Sequence, residues 1–281
     1  MVSQPTIKTP GILQFRLNQN KRSKTGADKM FIKNILRWIL LNMKIKVFTI
    51  HKEGLKTKKY YDEINFSRLR KEFEHIKFSR RGLQYLLDNY DFSTVLDIGS
   101  GEGLHADLFL KYGKQVTALD YGESVYFKKA INSEQLHLII ADFNQYEFNR
   151  QFDCIWASHV LEHQLNSNLF LKRCFSLLKE GGLFAITVPP PYPFAIVGGH
   201  VSFWNAGLVL YNLVLSGFDC KYATVLKYDY CNITVIVEKR SIVLPCISYD
   251  KGDIEKLVNY FPIGFFEGIY GDIEQINIKQ P

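Results

Sequence analysis

The stretch that most constrains this chain is Thr94-Val95-Leu96-Asp97-Ile98-Gly99-Ser100-Gly101-Glu102-Gly103-Leu104. A short apolar run carries an acid near its end. Glycines follow at alternate positions, and Leu104 to Lys111 continues at helical spacing. This is the pattern of a strand, a tight turn and a helix. Glycine reaches positive φ at no steric cost and has no Cβ, so a ligand can come close to the backbone of such a turn. The helix that follows turns unpaired N–H groups toward it.

Two kinds of nucleotide-like ligand use such a turn. A dinucleotide site wants glycines at the first, third and sixth positions. Here the third glycine, Gly103, comes one position early, and Leu104 stands at the sixth. Asp97 lies two residues before the first glycine. A carboxylate is poorly placed beside a pyrophosphate but suits a cationic α-amino group. The combination favours S-adenosylmethionine, which carries an amino-acid tail and a sulfonium but no phosphate. A turn whose glycines serve packing alone is the alternative at this point.

Two later acids strengthen the ligand reading. Val116-Thr117-Ala118-Leu119-Asp120 is a second apolar run, and its acid lies 23 residues after Asp97. An acid at the end of the second strand accepts ribose hydroxyls in folds of this kind. A third run, Leu138-Ile139-Ile140-Ala141-Asp142-Phe143, brings an acid and an aromatic suited to an adenine amino group and ring face. The fourth, Phe152 to Ala157, leads into Ser158-His159-Val160-Leu161-Glu162-His163. The fifth, Leu183 to Val188, follows Lys179-Glu180-Gly181-Gly182. Strands alternating with helices predict a mostly parallel sheet covered on both faces, with the ligand along one edge.

Taken together, VLDIGSGEG, the acid at 120, ADF at 141–143, FDCIWASHVLEH at 152–163 and LLKEGGLFAITVP at 177–189 resemble the class I S-adenosylmethionine-dependent methyltransferases. The resemblance is closest to their small-molecule type 11 branch and covers about residues 80–240. It implies an α/β fold: a Rossmann-like doubly wound sheet, mostly parallel with an antiparallel last strand, in an α-β-α sandwich. It implies a cofactor site made by Asp97, Gly99, Ser100, Gly101, Gly103, Asp120, Tyr121, Asp142, Phe143 and Ser158. It also implies methyl transfer as the activity.

A hydroxyl acceptor needs a base to take its proton. His159, just past the fourth strand, is the leading candidate, and His200, in the loop after the fifth, is the second or a substrate-binding group. Ubiquinone-pathway O-methyltransferases resemble the 159–163 stretch with a Glu-x-x-Glu-His pattern that binds magnesium. Here His159 replaces the first carboxylate, and magnesium prefers oxygen ligands, so no metal is expected. Methyltransferases acting on amide or adenine nitrogen carry Asn/Asp-Pro-Pro-Tyr/Phe after strand four, where this chain has Ser158-His159. The expected acceptor is therefore a hydroxyl of a small molecule, a glycan or a lipid-linked sugar. A quinone- or lipid-directed enzyme and a non-catalytic binding protein are the alternatives.

Composition and charge divide the chain. Hydrophobic residues make up 47% of the 281, which suits a globular fold. No apolar run is long enough for a spanning helix, and the first 30 residues lack the apolar segment of a secretory signal. Five scattered cysteines without a C-x-x-C pair suggest neither a zinc site nor a disulfide framework, and fit a reducing cytoplasm. Residues 1–81 hold 20 Lys/Arg against 6 Asp/Glu, and residues 82–281 hold 15 against 22. The excess positive charge thus belongs to the N-terminal part. Residues 1–29 read as a disordered leader, with Met30 as an alternative start. Residues 30–81 read as a basic amphipathic extension, 82–240 as the catalytic domain, and 241–281 as an extension beside the substrate mouth. The helix expected at 30–48 either docks on its own domain or lies on a membrane surface, peripheral contact being expected through about 30–60. No stacking motif or known module supports nucleic-acid binding.

Overall fold

The computed structural model describes residues 68–127, 136–191, 196–273 and 275–278. The leader at 1–29, the amphipathic stretch at 30–48 and the lysines at 56, 58 and 59 lie outside the described residues.

A helix α1 (Arg80–Asn89) precedes strand β1 (Thr94–Ile98), followed by α2 (Leu104–Lys111), β2 (Gln115–Asp120), β3 (His137–Ile140) and β4 (Phe152–Ser158). The chain continues through α3 (Ser167–Leu177), β5 (Leu178–Val188), α4 (Ala206–Leu215), β6 (Thr224–Tyr228), β7 (Asn232–Glu238) and a short α5 (Asp253–Leu257). The seven strands form one sheet in the order β3-β2-β1-β4-β5-β7-β6. The first five run parallel, and β7 is antiparallel to both β5 and β6. This is the doubly wound, mostly parallel sheet expected from the alternation of apolar runs. The antiparallel strand is β7, inserted between β5 and β6.

Strand side chains alternate between the two faces, and both faces are buried apart from the exposed edge strand β3. On one, Val95, Cys154, Trp156, Leu183 and Ala185 meet Leu83, Leu86, Ala106 and Phe109 of α1 and α2. On the other, Leu96, Ile98, Ile155, Ala157 and Phe184 meet Phe170, Cys174, Leu210 and Leu213 of α3 and α4. The order of strands reverses between β1 and β4. That crevice at the strands' C-terminal ends is where open α/β sheets bind ligands.

Before α1 stands a single 3-10 turn at Lys71–Phe73, separated from it by Ser79 in a left-handed conformation. Helix α3 starts at Ser167, where the Asn166 side chain accepts the Leu169 N–H. One local expectation shifts. Strand β5 begins before Gly181-Gly182: Leu178 pairs with Phe152, the pair Cys154–Leu183 follows, and Lys179 to Gly182 form the extra loop of a bulge. A Cβ at Gly182 would stand 2.9 Å from the Lys179 carbonyl and 3.1 Å from that of Asp153, so glycine is required there.

Residues 241–278 close the α4–β6 edge. Ile276 bridges to Val225, the Gly207 N–H donates to the Gly271 carbonyl, and Phe261 stacks on Phe265 at 3.9 Å. Among the described residues, none of them lines the cavity at the strand ends. Among the described residues, no helix is long and apolar enough to cross a membrane.

Helix α1 approaches the sheet through Gly82. A Cβ there would meet the Tyr228 hydroxyl at 2.5 Å and Thr234 Oγ1 at 2.6 Å, while those two groups hydrogen bond to each other at 2.7 Å. Gly82→Ala must displace the helix or break that bond. A stability loss of about 1–3 kcal/mol is expected in urea unfolding, with a smaller loss when Thr234→Ala is added.

Candidate active site

The loop after β1 is built by three left-handed glycines: Gly99, Gly101 and Gly103 have φ of 69°, 51° and 82°. Gly103 caps α2. A Cβ at Gly99 would lie 2.6 Å from Val160 Cγ2, so the turn after β4 packs directly on the glycine loop. The loop is pinned to the end of β2. Gly99 and Ser100 donate to the Leu119 carbonyl, and Gly101 donates to Asp120 Oδ2 at 2.9 Å. The other Asp120 oxygen accepts the Gly122 N–H at 2.9 Å. Asp120 therefore clamps two loops and, with lone pairs remaining, still fronts the cavity.

That cavity has a volume of about 650 Å³, within the range of small-molecule sites. Gly99, Ser100, Gly101, Asp120, Tyr121 and Ser158 all line it. So do His159 and His200, with Ile76 to Phe78 on another wall. Gly103 lies just behind, at the helix start. Asp97 is 1% exposed, and its Oδ2 has no hydrogen-bond partner. Ser100 Oγ is likewise buried without a partner. Native structures satisfy nearly all such groups, so these orphans at a glycine loop fit a polar ligand bound there.

Asp142 and Phe143 do not join this lining. The Asp142 carboxylate accepts the Asn144 N–H and the Gln145 side-chain amide, capping its own turn. Phe143 is 5% exposed and sits in the core against Phe148 and Phe170. Its position just after an acid suggested a stacking platform, but its side chain points to the helix-covered face.

The acceptor side is organised around His159. Its φ is 56°, a strained conformation for a non-glycine residue that calls for a functional explanation. The strain is held by a bond from its N–H to the Thr187 carbonyl and by contacts at both ring nitrogens. Asn232 Oδ1 accepts the Ser79 backbone N–H at 3.0 Å, which identifies that atom as the oxygen. His159 Nε2, 3.0 Å away, therefore donates to it. His159 Nδ1 lies 3.2 Å from Glu162 Oε1, a close contact without hydrogen-bond geometry. The ring also stacks obliquely on Phe78 at 4.9 Å.

Ser79 Oγ and Ser158 Oγ share a hydrogen bond of 2.5 Å, which ties the entry to α1 to the end of β4. A different histidine, His105, accepts from Trp156 Nε1 and donates to the Phe78 carbonyl. Burial pushes its pKa down to about 4, so it is a neutral structural group. His200 is half-buried, and burial lowers its pKa from the usual value. Glu162, His163 and His200 place their ligand atoms within 4.8 Å of one another, although no metal set was expected from the sequence. Ser79, Asn232 and His163 were also missed. Asn232 and Ser79 are 153 residues apart, and no local pattern joins them.

Burial, and then the charge of Asp120, push the Asp97 carboxyl up to about 8. The unfolded chain releases this proton near the ordinary value of 3.8, so between the two the folded state holds a proton that the unfolded state has lost. Stability is then fully present below about pH 4 and falls as pH rises through 8. Urea unfolding of the ligand-free chain should lose on the order of 2–4 kcal/mol between pH 5 and 8, and Asp97→Asn should flatten that slope.

Comparison with known proteins agrees with this geometry. Residues 96–186 match a family model described as a methyltransferase domain. A ubiquinone biosynthesis O-methyltransferase of Nitrobacter winogradskyi is 36% identical over 95 residues, covering 32% of this chain and 36% of that protein. One from Stutzerimonas stutzeri is 32% identical over 121 residues, covering 38% and 50%. The chain thus spans a third to a half of the length of these relatives. A Burkholderia thailandensis 1,6-didemethyltoxoflavin-N1-methyltransferase, solved with S-adenosylhomocysteine, overlaps 79% of this chain and 94% of its own at 15% identity and a TM-score of 0.47. With β1 to β5 and the glycine loop inside the matched segment or at its edge, residues 96–186 form a methyltransferase domain.

Proposed function

We propose that the chain is a S-adenosylmethionine-dependent O-methyltransferase whose acceptor is a hydroxyl on an aromatic, quinone-type ring. The observation that carries this reading is one cavity lined both by the glycine loop with Asp120 and by the His159–Glu162–His200 cluster. The first holds a nucleoside with an amino-acid tail; the second receives a proton. The names of the relatives support a ring hydroxyl over a sugar. The apolar lining residues Ile76, Phe78 and Val197 suit a flat, weakly polar molecule.

The residues that fit the cofactor are Gly99, Ser100 and Gly101 at the loop, Asp120 toward the ribose and Asp97 beneath the loop. When bound, it supplies a methyl group already made electrophilic by its sulfonium. The chain's own task is then alignment and proton removal. Ser158 and His159 stand at the end of β4, with the acceptor wall on one side and the glycine loop on the other. His159, held at both nitrogens, is a fixed positioning group. The acceptor's proton leaves into the cluster it forms with Glu162 and His200, and Phe78 covers the ring and excludes water. The basic N-terminal segment supports peripheral contact with an anionic membrane, where such acceptors partition.

The test is a release assay for S-adenosylhomocysteine with catechols, hydroquinones and sugars, each product identified by mass. Transfer to a ring hydroxyl is expected; transfer confined to sugars or to amines would remove this reading. His200→Ala should lower turnover roughly 100-fold or more, with S-adenosylhomocysteine affinity within about twofold of the parent.

A further inference from the structure

We propose that Glu162, His163 and His200 bind one divalent transition-metal ion on the acceptor side of the cavity. The Glu162 carboxylate is 0% exposed and belongs to the cavity lining, yet neither oxygen accepts a hydrogen bond. Its closest described contact is His159 Nδ1 at 3.2 Å, without hydrogen-bond geometry. A buried carboxylate left this way is costly, and a bound cation removes the cost.

Two imidazoles complete the set. His163 Nδ1 donates to the Gly199 carbonyl at 2.9 Å, which leaves its Nε2 lone pair free and fixes the ring. Metal-binding histidines are oriented in this way. A Cβ at Gly199 would lie 2.9 Å from that same nitrogen, and its φ is 80°, so only glycine allows the contact. The loop that carries His200 is tied to the turn that carries Glu162, because Val201 N–H donates to the Glu162 carbonyl at 2.8 Å. The three ligand atoms lie within 4.8 Å of one another, so a modest closure brings them onto one ion at about 2.0–2.2 Å from each.

The donor set disagrees with the magnesium pattern of the ubiquinone-pathway enzymes. His159 stands where their first carboxylate would be, and His200 comes from a different loop. Magnesium needs oxygens, whereas two imidazoles and one carboxylate suit zinc and ions of similar softness. Three protein ligands also leave a fourth position for an oxygen.

The inference gives Glu162 and His200 a second role, in which a bound ion occupies the lone pairs that would otherwise take the acceptor's proton, and metal binding alone tests it. The full chain, stripped with a chelator, is titrated by calorimetry with Zn²⁺ and separately with Mg²⁺. One Zn²⁺ per chain is expected, bound at least 100-fold more tightly than Mg²⁺. Glu162→Gln and His200→Ala should each weaken Zn²⁺ at least 100-fold while S-adenosylhomocysteine affinity stays within about twofold. His200 lies on a half-exposed loop, so its variant remains informative if the buried Glu162 variant does not fold. Co²⁺ in place of Zn²⁺ should give weak visible bands without thiolate charge transfer, which separates this site from the free cysteines. Sub-stoichiometric Zn²⁺ binding, Zn²⁺ affinity unchanged in His200→Ala, or tighter binding of Mg²⁺ than of Zn²⁺ would overturn the proposal.

Discussion

One carboxylate holds the binding edge in shape. Asp120 accepts from Gly101 with one oxygen and from Gly122 with the other. Without it, a loop of three left-handed glycines would carry much entropy and little structure. With it, the loop after β1 and the loop after β2 become one rigid rim. Everything the cofactor would touch on this side is referred to that rim. The turn after β4 seats on it through Val160 and Gly99, so the acceptor groups take their positions from the same carboxylate.

The second half of the cavity follows a different logic. Its groups are buried polar atoms aimed at one another across segments distant in sequence. Asn232 from β7, Thr187 from β5 and Glu162 after β4 converge on a single histidine, and Ser79 before α1 joins them through Asn232. Left-handed backbone at His159 and Ser79 is the cost of that convergence. The neutral, half-buried His105 shows the contrast: both of its nitrogens are paired by donor–acceptor bonds of ordinary geometry, and it lies on a regular helix.

How much could be read from residues alone differs between these halves. The strands of the parallel sheet were legible because each is a short apolar run, and all but the edge strand β3 are buried on both faces. The glycine loop was legible because backbone conformation restricts residue type there, and Asp120 because it closes an apolar run. Phe143 misled because its neighbour Asp142 is polar, and a local pattern does not say which sheet face an aromatic takes. The start of β5 was placed after Gly181-Gly182 because a glycine pair normally ends an element, whereas here it forms a bulge fixed by backbone bonds to Lys239. The grouping of Glu162 and His163 with His200 depends on a loop closing back on a turn, and no spacing rule encodes that.

The hairpin between β6 and β7 gives this arrangement a consequence of its own. Its tip, Asp229, is left-handed and paired with Arg80 and Arg81 at the start of α1, at 2.9 and 3.5 Å. Three residues on, Asn232 joins the Ser79 amide to the His159 ring. The entry to the first helix and the His159 ring therefore hang from a common strut. A displacement of Ser79 would be felt at that ring through one side-chain amide, across no more than two hydrogen bonds.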